Sequence, residues 1–124
     1  MKKGIDVSVH QGIIDWDTVK NVEKIDFAIL QAGYGRLASQ KDKQFERNYS
    51  ECKRLGIPIG AYWYSYAVTV EDVKNEAAAC IEVLKGKKFE YPVYLDYEDP
   101  SQLSLPSSTS KAICLTFMAV IPAF

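Results

Sequence analysis

One histidine, three cysteines and a formal net charge of -1 are all that this 124-residue chain has of the usual metal ligands, disulfide partners and surplus charge. Cys52, Cys80 and Cys114 are odd in number and widely spaced, which excludes a complete intrachain disulfide framework and any CxxC metal pattern. They read as reduced, buried thiols. A zinc site built on His and Cys would have only His10 to add to them. Fifteen Lys and Arg against sixteen Asp and Glu set up no field that would draw nucleic acid. Long hydrophobic runs are lacking too. Lys2 and Lys3 meet Asp6 before any apolar stretch develops, so no secretory signal peptide is read there. The apolar tail from Ala112 to Phe124 is too short to cross a bilayer and has only Lys111 as a basic flank, so no membrane partner is expected.

What is present is a globular composition, 48% hydrophobic and 25% charged, in a length suited to one domain over residues 1–124. Gly4 to Val9 is short and β-branched, and it predicts a first strand with Asp6 and Ser8 on one face. Asp15 is placed to cap a short helix at Trp16. Phe27 to Leu30 predicts a doubly covered strand released into a glycine-bearing loop at Gly33 and Gly35. Phe45, Tyr49, Cys52 and Leu55 form one stripe of a helix over 42–54 that Gly56 closes. A third strand is predicted over Ile59 to Tyr66. Thr69 caps a helix lined by Val73, Ala77, Cys80, Ile81 and Leu84. A fourth strand, Pro92 to Leu95, runs into Asp96-Tyr97-Glu98-Asp99-Pro100, and a last helix is predicted from about Lys111 behind Ser107 to Ser110.

Strand and helix thus alternate four times, at roughly thirty residues per unit, which predicts an α/β fold with parallel strands and right-handed crossovers, either a (β/α) barrel or an open α/β sheet. A closed eight-stranded barrel ordinarily takes on the order of 200 residues. The expectation is therefore a partial (β/α) barrel of the TIM-like type, with about the first four βα units present and the C-terminal part truncated.

In such folds, chemistry collects at the C-terminal ends of the strands. Asp96 and Glu98, two residues apart on the fourth strand, would point to one face with Cα atoms roughly 6 to 7 Å apart. Like charges that close raise at least one pKa, and a carboxyl that keeps its proton is what general-acid cleavage of a glycosidic bond requires. A lone DxE triplet also fits a solvated acidic turn. Asp6 near the end of the first strand and the run Tyr62-Trp63-Tyr64-Ser65-Tyr66 add weight to a site, because aromatic faces stack on sugar rings. Period two puts Tyr62, Tyr64 and Tyr66 on one face and Trp63 on the other.

Gly4-Ile5-Asp6-Val7-Ser8, Gln11-Gly12, Ile14-Asp15-Trp16, Asp42-x-x-Phe45-x-x-Asn48, Gly56 through Tyr64, and Pro92 through Glu98 together resemble glycoside hydrolase family 25. These are the Chalaropsis-type lysozymes of bacterial autolysins and phage endolysins, and the resemblance runs over residues 4 to about 99. It implies a 1,4-β-N-acetylmuramidase that cuts peptidoglycan between N-acetylmuramic acid and N-acetylglucosamine, with no metal or organic cofactor. By similarity Glu98 is the acid/base, Asp96 assists the second step by steering the substrate's N-acetyl group, and Asp6 shapes the site. Tyr62 stands near the reacting sugar, and Tyr64 and Tyr34 contact substrate.

The implied partner is the peptidoglycan glycan strand, and the implied place of action is the bacterial cell wall. Gln31 stands where many relatives have arginine, and His10 falls in a variable slot and reads as a rim residue. The apolar tail, 100–124, lacks the amphipathic spacing of the family's corresponding helix. A half barrel would leave an uncovered edge and interior, so a homo-oligomer that completes it is expected. Two rival readings stand beside the muramidase: a catalytically inactive, wall-binding fragment, and another barrel hydrolase in which Asp6, Asp96 and Glu98 hold a divalent ion.

Overall fold

A computed structural model describes residues 2–124. Four parallel strands, β1 (Gly4–Val7), β2 (Phe27–Tyr34), β3 (Ile59–Tyr64) and β4 (Val93–Asp96), lie side by side in chain order. Between and after them run α1 (Trp16–Asn21), α2 (Phe45–Leu55), α3 (Val70–Leu84) and α4 (Ser107–Val120). The α/β class and the parallel pairing agree with the sequence pattern.

The sheet has two unequal faces. Ala28, Leu30 and Ala32 of β2 and Ile59, Ala61 and Trp63 of β3 are fully buried, together with Trp16, Phe45, Cys52, Val73, Cys80, Leu84, Ile113 and Phe117 from the helices. This is the core. The opposite face carries Asp6, Ile29, Gln31, Tyr62, Tyr94 and Asp96 in register, and all of them are half-buried or exposed. All-parallel sheets normally have both faces covered; here the helices cover one. Buried polar atoms find partners inside the core: the Trp16 indole N–H donates to Asn48 Oδ1 at 3.0 Å and that of Trp63 to the Gly35 carbonyl at 2.8 Å.

Several element ends differ from expectation because a side chain takes over the backbone. The first strand stops at Val7, not Val9. Ser8 leaves it to cap a short 3-10 turn, Val9–Gln11: its Oγ accepts from the His10 N–H at 3.1 Å, while Gln11 Oε1 accepts from the Ser8 N–H at 2.6 Å. Ser8 is thereby buried, while Asp6 stays exposed. The second helix starts at Phe45, after Asp42 Oδ1 accepts from the Gln44 N–H at 2.9 Å, and it ends on Gly56, whose φ of +69° is left-handed. The third strand stops at Tyr64, because the Tyr66 N–H is given to Glu76 Oε2 at 2.8 Å instead of to a neighbouring strand. The last helix begins at Ser107, and its burial corrects the view of the tail. Ile113 and Phe117 are buried and Ile121 is partly buried, a stripe at spacing four that packs on the core, with Leu115, Met118 and Val120 left outside.

Candidate active site

The C-terminal ends of β2, β3 and β4 open into a cleft of about 830 Å³. Gln31, Tyr34, Tyr62, Tyr64 and Asp96 line it from the sheet, and Tyr66 and Glu98 from the segments after β3 and β4. The register explains the grouping: Gln31 pairs with Tyr62 and Tyr62 with Tyr94, and Tyr64 pairs with Asp96, so alternation sends these side chains to the uncovered face.

Tyr34 reaches the cleft by a different route. Three residues beyond Gln31, it would face the helices in a regular strand. The pairing of β2 with β3 shifts between Gln31 and Gly33, which brings Tyr34 opposite Tyr64. Only glycine fits at the shift: a Cβ on Gly33 would sit 2.6 Å from the Trp63 ring and 2.8 Å from the Gln40 carbonyl oxygen. Tyr34, Tyr66 and Tyr64 then form a continuous aromatic wall, with ring centroids 6.2 Å apart for the first pair and 5.1 Å for the second. The sequence pattern placed Tyr66 on this face as a strand residue. It lies in the loop after the strand and still joins the cleft.

The carboxylates follow in part. Strand β4 ends at Asp96, so Glu98 is not a strand residue as predicted; it lies in the extended segment leading to a 3-10 turn, Pro100–Gln102. It still lines the cleft with Asp96 and Tyr62. Asp96 is half-buried, and its pKa is raised first by burial and then by the carboxyl of Glu98 and the charge of Asp6. Asp6, on β1, is exposed and is not among the residues lining the cleft, although its charge reaches both Asp96 and Tyr62. Burial and the charges of Asp6, Asp96 and Asp42 push the Tyr62 phenol up to about 12. It remains a neutral O–H donor across the physiological range and donates to Gln31 Oε1 at 3.4 Å. The Tyr64 phenol, also pushed up to about 12 by burial and by its bond to Asp99, donates to Asp99 Oδ1 at 3.1 Å.

Behind the cleft lies a buried polar knot with no obvious sequence signal. Glu76 of α3 accepts from the Ser65 hydroxyl at 2.7 Å and from the Tyr66 N–H. Gln102 Nε2 donates to Ser65 Oγ at 3.1 Å and to the Ala67 carbonyl at 2.9 Å. The loop after β3 and the turn after Glu98 are thus tied to one another and to α3. Glu76 stands in a helix that the apolar stripe had already explained, and only the folded geometry shows what its carboxyl does.

Among the described residues, no three His, Cys, Asp or Glu side chains group as a metal site would require, so the divalent-ion reading of Asp6, Asp96 and Glu98 has no geometry to rest on. No helix among them is long and apolar enough to cross a membrane.

The family model for glycosyl hydrolases family 25 matches residues 5–121. The chain belongs to that family. The match takes in α4, so the family pattern continues past residue 99 and includes most of the apolar tail that the sequence reading had set apart. Lysozyme M1 of Streptomyces globisporus is 40% identical over 63 residues, which are 51% of this chain and 20% of that protein. The modular autolysin LytC from Streptococcus pneumoniae, solved in complex with a synthetic peptidoglycan ligand, matches with a TM-score of 0.81 and 34% identity over 97% of this chain and 29% of its own. A bacterial lysozyme from Streptomyces coelicolor matches with a TM-score of 0.77 and 26% identity, over 96% of this chain and 56% of its own. The family 25 chain therefore spans between a fifth and about half of each of these proteins.

Proposed function

We propose that this family 25 chain carries the acid/base half of a lysozyme cleft and acts on the glycan strands of peptidoglycan in the bacterial cell wall, at the β-1,4 bond between N-acetylmuramic acid and N-acetylglucosamine. One observation carries the reading: two carboxyls, Asp96 and Glu98, line one open cleft walled by tyrosines. In this reading the four strands are the first units of a TIM-like (β/α) barrel, since chain-order pairing with helices on one face is the geometry that a closing barrel requires.

Burial and the neighbouring charge of Glu98 hold the Asp96 carboxyl above its ordinary pKa. The form with the proton on Glu98 is the cleaving one. Glu98 donates it to the glycosidic oxygen as the bond to C1 breaks, and Asp96 holds the N-acetyl group so that its carbonyl oxygen closes on C1 from the other side. Glu98, now ionised, takes a proton from the water that opens this intermediate. Asp6 raises the proton affinity of Asp96 through its charge. The Tyr62 hydroxyl donates toward the reacting sugar, and Tyr34 and Tyr64 offer ring faces to its neighbours.

Release of reducing ends from purified peptidoglycan, compared between wild type and Glu98→Gln, tests the reading. The wild type is expected to release them and the variant to lose at least about a hundredfold in rate, the usual size of a general acid/base contribution. If both bind the wall and neither cuts it, the chain is a wall-binding protein without turnover.

A further inference from the structure

The cleft is lined by charges of both signs: Asp96 and Glu98 from the end of β4 and the segment after it, and Lys41 and Lys43, with His10, from the segments before α2 and after β1. We infer that Lys41 and Lys43, with His10 beside them, form a recognition site for carboxylates carried on the substituents of the sugar chain. The inference rests on the muramidase reading and names the part of the substrate that this site selects.

The basic lining is built, not incidental. Asp42 sits between the two lysines, only 4% exposed. Its N–H donates to the Ala32 carbonyl at 2.8 Å, and Lys41 is bridged to Gly33, so the segment is fastened to β2. The Asp42 carboxylate turns inward and accepts from the Val9 N–H at 2.8 Å and from the Gln44 N–H at 2.9 Å. The first of these bonds also draws in the 3-10 turn that carries His10. One buried carboxylate thus sets three basic side chains along a single rim.

Their charges are available to a ligand. Lys41 approaches Glu46 only at 4.0 Å, and Glu46 is held by Lys87 at 2.7 Å. Lys43 makes no ion pair among the described residues. To a neutral sugar chain two such ammonium groups offer hydrogen bonds alone. A chain bearing carboxylates gains an ionic attraction as well, which offsets repulsion from Asp96 and Glu98 in the same cleft and fixes which end lies where. In peptidoglycan the carboxylates come from the stem peptide or, where the peptide has been removed, from the lactyl group of the muramic acid.

Three glycans separate the possibilities: intact peptidoglycan fragments, the same fragments after an amidase has freed the lactyl carboxylates, and chitin oligosaccharide, which has none. The wild type is expected to prefer a carboxylate-bearing glycan over chitin oligosaccharide in equilibrium binding, and the preference should shrink as salt is added. Lys41→Ala with Lys43→Ala should cut that preference by about three- to tenfold, the scale of two exposed charge contacts. Lys41→Arg with Lys43→Arg should keep it. Preference for the intact fragments alone assigns the stem peptide; preference for the amidase-treated ones assigns the lactyl group. A wild type without preference, a preference that survives the double alanine variant, or equal loss on all three glycans overturns the inference. If the wild type neither binds nor cuts any of the three, the muramidase reading itself fails and takes the inference with it.

Discussion

Glu76 offers the sharpest test of how this fold holds its site, because a carboxyl that is 2% exposed has to be explained by its partners. Replacing it with alanine leaves the Ser65 hydroxyl without its acceptor at 2.7 Å and the Tyr66 N–H without its acceptor at 2.8 Å. Each orphaned buried donor costs about 1–3 kcal/mol, and removing a desolvated carboxyl returns part of that. A net loss of about 2–4 kcal/mol is expected, read as a lower urea midpoint at an unchanged slope. The pH dependence gives a second, independent readout. Burial raises the pKa of Glu76 above its ordinary value, with the Ser65 and Tyr66 hydrogen bonds opposing. For an acid whose folded pKa lies above the unfolded one, the native state binds the proton more tightly. Its stabilising contribution is complete below the unfolded pKa and is lost as pH rises through the folded one. Wild type should therefore lose stability relative to Glu76→Gln as pH climbs from about 4 toward neutrality. Equal urea midpoints for wild type and Glu76→Ala, or a pH-independent gap between wild type and Glu76→Gln, would refute the reasoning.

Other expectations follow from single contacts. Phe117→Ala, at a position 1% exposed, should cost about 3–5 kcal/mol in urea unfolding, because it opens a cavity where α4 meets the core. Asp6→Asn removes one of the like charges that raise Asp96, so the acidic limb of the pH–rate profile, on which Asp96 must ionise to assist, should move to lower pH; an unmoved limb would dissociate Asp6 from Asp96. Burial pushes the Cys52 and Cys80 thiols up to about 12 and raises that of half-buried Cys114 less far. A thiol reagent at mildly alkaline pH should label Cys114 first, and should reach the other two only at the rate of global unfolding.

The sequence by itself determined the class and order of the elements. Apolar residues at spacing three and four, caps at Asp15 and Thr69 and the stop at Gly56 are local properties, and each appears in the fold where hydrogen bonding between neighbours dictates it. Alternation along a strand, a two-residue rule, sends Tyr62, Tyr64 and Asp96 to the open face, whereas Tyr66 and Glu98 lie past the strand ends and reach the cleft from the segments that follow. What only tertiary structure decided depends on contacts between distant segments. Tyr34 faces the cleft because Gly33 lets β2 slip past Trp63. The third strand ends at Tyr64 because Glu76, ten residues on, takes the Tyr66 N–H. The tail becomes a packed helix because Ile113 and Phe117 find the core, a match that its weak apolar periodicity did not announce. Asp42 gathers the basic rim by bonding to Val9, 33 residues away. Local rules set what each segment can be; which backbone groups a side chain captures, and so where each element ends and faces, is settled only when the segments meet.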